Sequence, residues 1–302
     1  MSVNRMCYHR HEVMEMKIAW IGTGVMGSAM ACHLQKAGHE VKAYNRTGKK
    51  AEALQAVGIR AMKTIADCVA DCEVVFTMVG EPHDVEAVYY GEQGILAHAP
   101  KGAYLIDMTT SAPSLARRIA HDAHDFHVLD APVSGGDIGA QKGTLTVMCG
   151  GDHADFVKME PLFSCFAETI TYQGEAGSGQ HCKACNQIAL AGCIASAAEA
   201  LTYARTSGLD PKQVLAAIAK GAAGSFQLTH NGEKMLCHDY EPGFYIKHFI
   251  KDMNIAAAEL KQMDLHFPIL TQVQSIYETL REMGYDDAGT QAIWEYYQSK
   301  QN

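Results

Sequence analysis

The sequence predicts an α/β chain with a C-terminal all-α domain, and three observations predict it. From Lys17 to about Tyr172, short apolar runs alternate with segments of helical period. After Gly179 the strand-like runs stop, and stretches rich in Ala, Leu, Glu and Met take over. The change falls in the glycine-rich stretch Gly174–Gly179. Alternating strands and helices imply a parallel sheet with helices on both faces. The expected organisation is a flexible extension over residues 1–15, an α/β domain over 16–177 and an all-α domain over 178–302.

Strands are expected at the short apolar runs over residues 17–21, 40–44, 74–78, 103–107, 127–130 and 145–149. Helices of clear period lie between some of them, at 26–36 and 114–123. Later helices are expected at 181–206, 211–222, 246–263, 268–283 and 291–299. The polar start, with His9-Arg-His11, lacks the apolar run of a secretory signal, and Met16 is an alternative start of the regular pattern. The longest low-charge run, Cys185 to Ala200, falls short of a membrane-spanning length, so no transmembrane segment is expected.

Composition narrows the functional classes. A chain of 302 residues, 48% hydrophobic and with a net charge of −9, has ample length for a sizeable core. It lacks the clustered Lys and Arg that a nucleic-acid or anionic-membrane surface needs, though one small cationic pocket remains compatible. The ten cysteines are spread singly, mostly inside apolar runs, as small hydrophobes in a reducing, cytoplasmic compartment would be. Cys182-Lys-Ala-Cys185, with His181 beside it, is the tightest pair. It has no second pair at metal spacing, so helix packing is the expected use and no metal site is expected.

The first strand runs directly into Gly22-Thr23-Gly24-Val25-Met26-Gly27, and a helical stretch follows at once. This is the dinucleotide fingerprint in its required context. Gly22 permits the turn, Gly24 lets backbone approach a pyrophosphate, and Gly27 lets helix and strand pack closely. Helix N–H groups would then face the phosphates. An N-terminal Rossmann dinucleotide-binding domain is therefore expected. An NAD enzyme usually ends its second strand with Asp or Glu, to accept from the ribose 2′-hydroxyl. Here Asn45, Arg46 and Thr47 stand there, and Arg46 can pair with a 2′-phosphate. That set favours NADP, with NAD left open.

Three further segments belong together. Asp130-Ala-Pro-Val-Ser134-Gly135-Gly136 ends in a turn whose backbone N–H groups and hydroxyl suit a carboxylate or phosphate. The segment from Gly174 to Gln187 places Lys183 and Asn186 three apart on one helical face. Lys247-His-Phe-Ile-Lys251-Asp252 places a second lysine near the start of another helix.

In these motifs the sequence resembles the β-hydroxyacid dehydrogenases, the group of 3-hydroxyisobutyrate dehydrogenase, tartronate semialdehyde reductase and the glyoxylate/succinic semialdehyde reductases. The resemblance runs in register from Lys17 to near the C-terminus. It implies Lys183 as general acid/base, Asn186 as the residue orienting substrate, and Ser134, Gly135 and Gly136 as the carboxylate site. It also implies cofactor contacts from Met78, Val79, Thr110 and Lys251. The family's loop usually reads Leu-Pro where this chain has Val79-Gly80-Glu81-Pro82, which weakens the case for Val79. A homodimer or homotetramer acting on a small carboxylate-bearing substrate is implied too.

The chemistry is coherent on its own terms. A protonated lysine can stabilise the negative charge that develops on a carbonyl oxygen during hydride transfer, then donate its proton. In the oxidative direction the lysine must start neutral, which desolvation favours. Substrate choice is expected to rest on pocket walls near Gly135–Ile138 and Ser225–Leu228, with Phe226 and Phe249 as candidates. A decarboxylating dehydrogenase of the 6-phosphogluconate type is the alternative enzyme, though such relatives usually have a longer helical domain. The alternative outside catalysis is an NADP-binding module without activity, which Lys183 argues against.

Overall fold

The computed structural model describes residues 15–299. The expected N-terminal extension therefore lies outside the described residues, apart from Glu15. The chain opens with β1 (Lys17–Ile21), α1 (Val25–Lys36), β2 (Glu40–Tyr44), α2 (Gly48–Glu52), β3 (Arg60–Ala61) and α3 (Ile65–Val69). There follow β4 (Val74–Thr77), α4 (Pro82–Tyr90), α5 (Ile95–His98), β5 (Tyr104–Asp107) and α6 (Pro113–Asp122). The sheet is completed by β6 (His127–Asp130), β7 (Val133–Ser134), α7 (Gly136–Lys142), β8 (Leu145–Gly151), α8 (His153–Phe163) and β9 (Ala167–Gly174). Beyond it lie α9 (Ser178–Thr206), α10 (Pro211–Ile218), α11 (Gly232–Leu236), α12 (Ile246–Gln262), α13 (Pro268–Glu282) and α14 (Ile293–Ser299).

The sheet order is β3-β2-β1-β4-β5-β6-β8-β7, with β9 paired to β8. From β3 to β6 every pairing is parallel, the doubly wound arrangement that places a ligand at the strands' C-terminal ends. Parallel strands buried on both faces read as continuous apolar runs, and alternate residues enter different cores. Ile18 and Trp20 of β1 pack with Phe76 and Phe166 on one face. Ala19 and Ile21 pack with Val75 and Leu105 on the other. The expectation of a wholly parallel sheet is corrected at its far side, where β8 runs antiparallel to both β6 and β7. Alternation alone carries no strand direction.

The helical region is organised around α9, whose 29 residues exceed the apolar run seen in the sequence. By length and composition alone this helix could cross a membrane, so the expectation drawn from the shorter run understated it. Ala191, Ile194, Ala198 and Leu201 of α9 pack into one core with Phe249 and Met253 of α12 and Tyr277 of α13. Small residues on α9 allow this close approach. The N-terminus of α9 in turn abuts the sheet. A Cβ on Gly179 would lie 2.4 Å from the Met148 carbonyl oxygen and 2.5 Å from that of Asp130. The nine cysteines among the described residues are free thiols, and burial pushes those of Cys68 and Cys149 well above the usual range.

Candidate active site

The Gly22–Gly27 loop joins β1 to α1 at the C-terminal edge of the sheet. Gly22 has φ +101°, and a Cβ there would lie 2.1 Å from the Met78 carbonyl oxygen. A Cβ on Gly27 would lie 2.2 Å from the Gly22 carbonyl oxygen. Those two glycines are required by the fold itself. Gly24 differs, because a Cβ there would meet nothing within 4 Å. It faces open space at the start of α1, whose first turn carries neither an acidic residue nor a side-chain cap. Thr23 is buried, and its hydroxyl has no hydrogen-bond partner among the described residues. Uncapped helix N–H groups, an unpartnered hydroxyl and an open approach at Gly24 together fit a dinucleotide pyrophosphate.

At the end of β2, Asn45 serves the loop. Its Oδ1 accepts from the Thr23 backbone N–H at 3.0 Å, and its Nδ2 donates to the Thr47 carbonyl at 3.2 Å. Arg46 projects outward, and its guanidinium pairs with Asp84 at 2.9 Å. Met78 and Val79 follow β4. The Met78 N–H donates to the Ile21 carbonyl at 2.8 Å, and the Val79 N–H donates to the Thr109 hydroxyl at 3.0 Å.

Lys183 lies on α9 and is buried, and its Nζ donates to the Val133 carbonyl at 2.8 Å. The residue after Val133 is Ser134, so one hydrogen bond brings the lysine beside the Ser134–Gly136 turn. Gly135 and Gly136 have φ of +125° and +61°, values that turn the backbone out of β7 into α7. Burial lowers the Lys183 pKa; the Asp252 carboxylate opposes that shift, while Lys251 adds to it. Asn186, three residues on, donates from Nδ2 to Gln187 Oε1 at 2.7 Å.

Lys251 arrives from α12. Its Nζ donates to the Thr110 carbonyl at 2.7 Å and lies 3.0 Å from Asp252 Oδ1. Gln187 Nε2 donates to Asp252 Oδ2 at 2.5 Å, closing the connection between α9 and α12. The N-terminus of α9 is fixed by Asp130, which accepts from Gly177 N at 2.7 Å and from Gln180 N at 2.8 Å. The Gln180 side chain bridges onward, accepting from Ser111 N at 2.9 Å and donating to the Thr109 carbonyl at 2.7 Å.

The structure thus links Lys183 with the Ser134 turn, and Thr110 with Lys251. It links Gly22–Gly27 with Asn45, Met78 and Val79. Arg46 instead pairs with Asp84, and the Thr47 carbonyl accepts from Asn45. Of the two candidate pocket walls, Phe249 is a correction: it is wholly buried against Phe244 and Tyr277, as core. Phe226 is 67% exposed and stacks on His230. Sequence reasoning passed over Gln180, Gln187 and Asp84. Their local sequence carries no signal of a site, because the partners that give them their places lie far along the chain.

Known proteins match this arrangement over both parts of the chain. Residues 17–174 match the model for the NAD-binding domain of 6-phosphogluconate dehydrogenase. Residues 177–297 match the model described as NAD-binding of NADP-dependent 3-hydroxyisobutyrate dehydrogenase. The chain belongs to the β-hydroxyacid dehydrogenase family. It is 50% identical to the uncharacterized oxidoreductase YkwC of Bacillus subtilis, over 93% of this chain and 98% of that protein. It is 37% identical to 2-hydroxy-3-oxopropionate reductase of Escherichia coli, over 89% of this chain and 92% of that one. The solved structure of Mycobacterium tuberculosis 3-hydroxyisobutyrate dehydrogenase with L-serine superposes with a TM-score of 0.87 at 28% identity. That superposition covers 93% of this chain and 99% of the other. As a member of this family, the protein is an NAD(P)-dependent oxidoreductase acting on the CH–OH group of hydroxyacids.

Proposed function

We propose that the protein interconverts a small β- or γ-hydroxyacid and its semialdehyde, of the 3-hydroxyisobutyrate, succinic semialdehyde or glyoxylate type, with Lys183 as general acid/base. The observation that carries this is the buried Lys183 ammonium, held 2.8 Å from the Val133 carbonyl beside the Ser134–Gly136 turn. One N–H of the ammonium is committed to Val133, which leaves two for a substrate oxygen.

Gly22–Gly27, Met78, Val79, Thr110 and Lys251 would hold the dinucleotide, and its nicotinamide supplies or takes up the hydride. Ser134, Gly135 and Gly136 bind the substrate carboxylate through hydroxyl and backbone N–H groups. Asn186 orients the reacting carbon. In reduction, Lys183 Nζ donates a hydrogen bond to the carbonyl oxygen and then its proton as negative charge grows there. In oxidation, neutral Lys183 accepts the hydroxyl proton, and burial supplies the lowered pKa that this needs. Thr110 and Lys251 position the ring through the 2.7 Å bond between them.

Arg46 at the end of β2, with no carboxylate among Asn45, Arg46 and Thr47, supports NADP over NAD. The NADP-dependent description of the matched C-terminal model agrees with that reading. A cytoplasmic homodimer or homotetramer fits the exposed Tyr203 and Ile269 of the helical region. The test is a panel of 3-hydroxyisobutyrate, succinic semialdehyde, glyoxylate and 2-hydroxy-3-oxopropionate, assayed with NADP(H) and NAD(H) by nicotinamide absorbance. Turnover of at least one of them with NADP(H) is expected. Tight cofactor binding with silence across the whole panel overturns the proposal.

A further inference from the structure

Gln187 is 2% exposed and stands between two groups already placed in the site. On one side its Nε2 donates to Asp252 Oδ2 at 2.5 Å. On the other its Oε1 accepts from Asn186 Nδ2 at 2.7 Å. Asp252 is itself buried and paired with Lys251 at 3.0 Å. A carboxylate only accepts hydrogen bonds, so Gln187 must turn its NH2 group toward Asp252. Its carbonyl oxygen then necessarily faces Asn186, and Asn186 must answer with its own NH2. The polarity of the whole chain, from Asp252 through Gln187 to Asn186, is therefore set at the carboxylate. Neither amide can flip without placing two donors or two acceptors face to face, and the burial of Gln187 keeps water from relieving the mismatch.

We propose that Gln187 is a positioning residue: it locks the Asn186 carboxamide in one orientation, with Nδ2 committed to Gln187 and Oδ1 left to face the substrate. The inference rests on the role given to Asn186 above. It makes α12 part of substrate orientation, because Asp252 fixes Gln187 and neighbours Lys251. Through Gln187 the substrate-orienting and cofactor-facing residues share one hydrogen-bonded chain, which ends at the Thr110 carbonyl.

Two substitutions in the full-length enzyme test this. Gln187→Met keeps length and loses both hydrogen bonds. Gln187→Glu keeps them only while protonated, when its O–H donates to Asp252 and its C=O accepts from Asn186. Once ionised, it sets two carboxylates against each other. The charged groups around it are Asp252, Lys251 and Lys183, with Glu81 and His248 coupled to Lys251 and Asp252. Gln187→Met is expected to lower kcat about 30-fold or more at every pH, the scale of a misoriented reactant. Its cofactor Kd, read by nicotinamide fluorescence, should stay within about threefold. Assayed in the oxidative direction, where the wild-type rate rises with pH, Gln187→Glu should approach wild-type kcat near pH 6 and fall about tenfold or more below it by pH 8.5. Near-wild-type kcat in Gln187→Met, or a Gln187→Glu defect independent of pH, overturns the proposal. Should Gln187→Met fail to fold, the pH profile of Gln187→Glu decides alone. Asn186→Ala separates the two levels. Full activity there removes the role of Asn186 itself, whereas inactivity there beside an active Gln187→Met removes only that of Gln187.

Discussion

Arg46 and Asp84 meet at 2.9 Å, where the end of β2 faces the first turn of α4. Asp84 also accepts from the Glu81 N–H at 3.2 Å, so it caps its own helix while holding the guanidinium. Arg46 is largely exposed, and an exposed ion pair of this kind contributes only about 0.2–1 kcal/mol. The guanidinium is pre-aimed but readily released to a stronger anion. Arg46→Ala should lower kcat/KM for NADPH about tenfold or more and leave NADH within about threefold. Asp84→Asn removes a carboxylate that would repel a 2′-phosphate and should raise the NADPH-to-NADH ratio several-fold. Initial rates with both cofactors decide. An unchanged ratio in Arg46→Ala would sink the assignment of Arg46.

The glycine loop offers a separation of folding from binding. At Gly22 an added Cβ collides with the Met78 backbone, and φ +101° is strained for any L side chain. At Gly24 nothing lies within 4 Å of that position. Gly22→Ala should therefore lower Tm markedly, by a destabilisation of about 2 kcal/mol or more. Gly24→Ala should melt like the wild type while its cofactor KM rises about tenfold, because only the bound dinucleotide would feel the methyl group. Equal Tm losses in both variants would argue against a ligand at Gly24.

How much of this was legible in the sequence depends on the range of the interactions. β1 and β4 were readable because both of their faces are buried, which leaves an unbroken apolar run at Ile18–Ile21 and Val74–Phe76. β9 was not, because Glu168 and Thr169 are exposed and the strand pairs only with β8. β3 and β7 have two residues each, too few for any period to register. In the site, glycines and lysines at motif spacing announced themselves. Gln187 and Gln180 did not, since their partners Asp252 and Ser111 lie 65 and 69 residues away. A helical glutamine looks alike whether it meets water or a buried carboxylate.

Lys183 makes the direction of catalysis depend on pH. Burial lowers its pKa from the usual lysine range, so the neutral form becomes available below the pH where a free lysine would lose its proton. Oxidation needs that neutral form, and its kcat/KM should rise with pH through the lowered value. Reduction needs the ammonium and should fall over the same interval. Lys183→Ala should cost about 1000-fold or more in both directions with cofactor affinity retained. Parallel pH profiles for the two directions, or substantial activity in the variant, would remove Lys183 from the proton transfer.

Asp107 and Asp130 sit opposite each other at the C-terminal ends of β5 and β6. Burial is the main cause that raises both, Asp107 to about 7 and Asp130 to about 6, and the Asp130 carboxylate adds to the rise at Asp107. At Asp107 that burial is opposed by the Thr109 hydroxyl, by the Thr109 N–H at 3.1 Å and by the Lys251 charge, whereas Asp130 accepts from two backbone N–H groups at the start of α9. In the unfolded chain both titrate near 3.8. Between that value and the folded one, the folded protein keeps protons that the unfolded chain has released. The stabilisation is therefore full below about pH 4 and lost as pH rises toward 7, at about 1.4 kcal/mol for each unit of difference. Asp107→Asn abolishes this titration and keeps an oxygen for Thr109. Urea denaturation at pH 4.5 and pH 8 should show the variant gaining a few kcal/mol relative to the wild type at the higher pH. A difference between the two proteins that does not change with pH would mean that Asp107 is already ionised across the whole range, held so by Thr109.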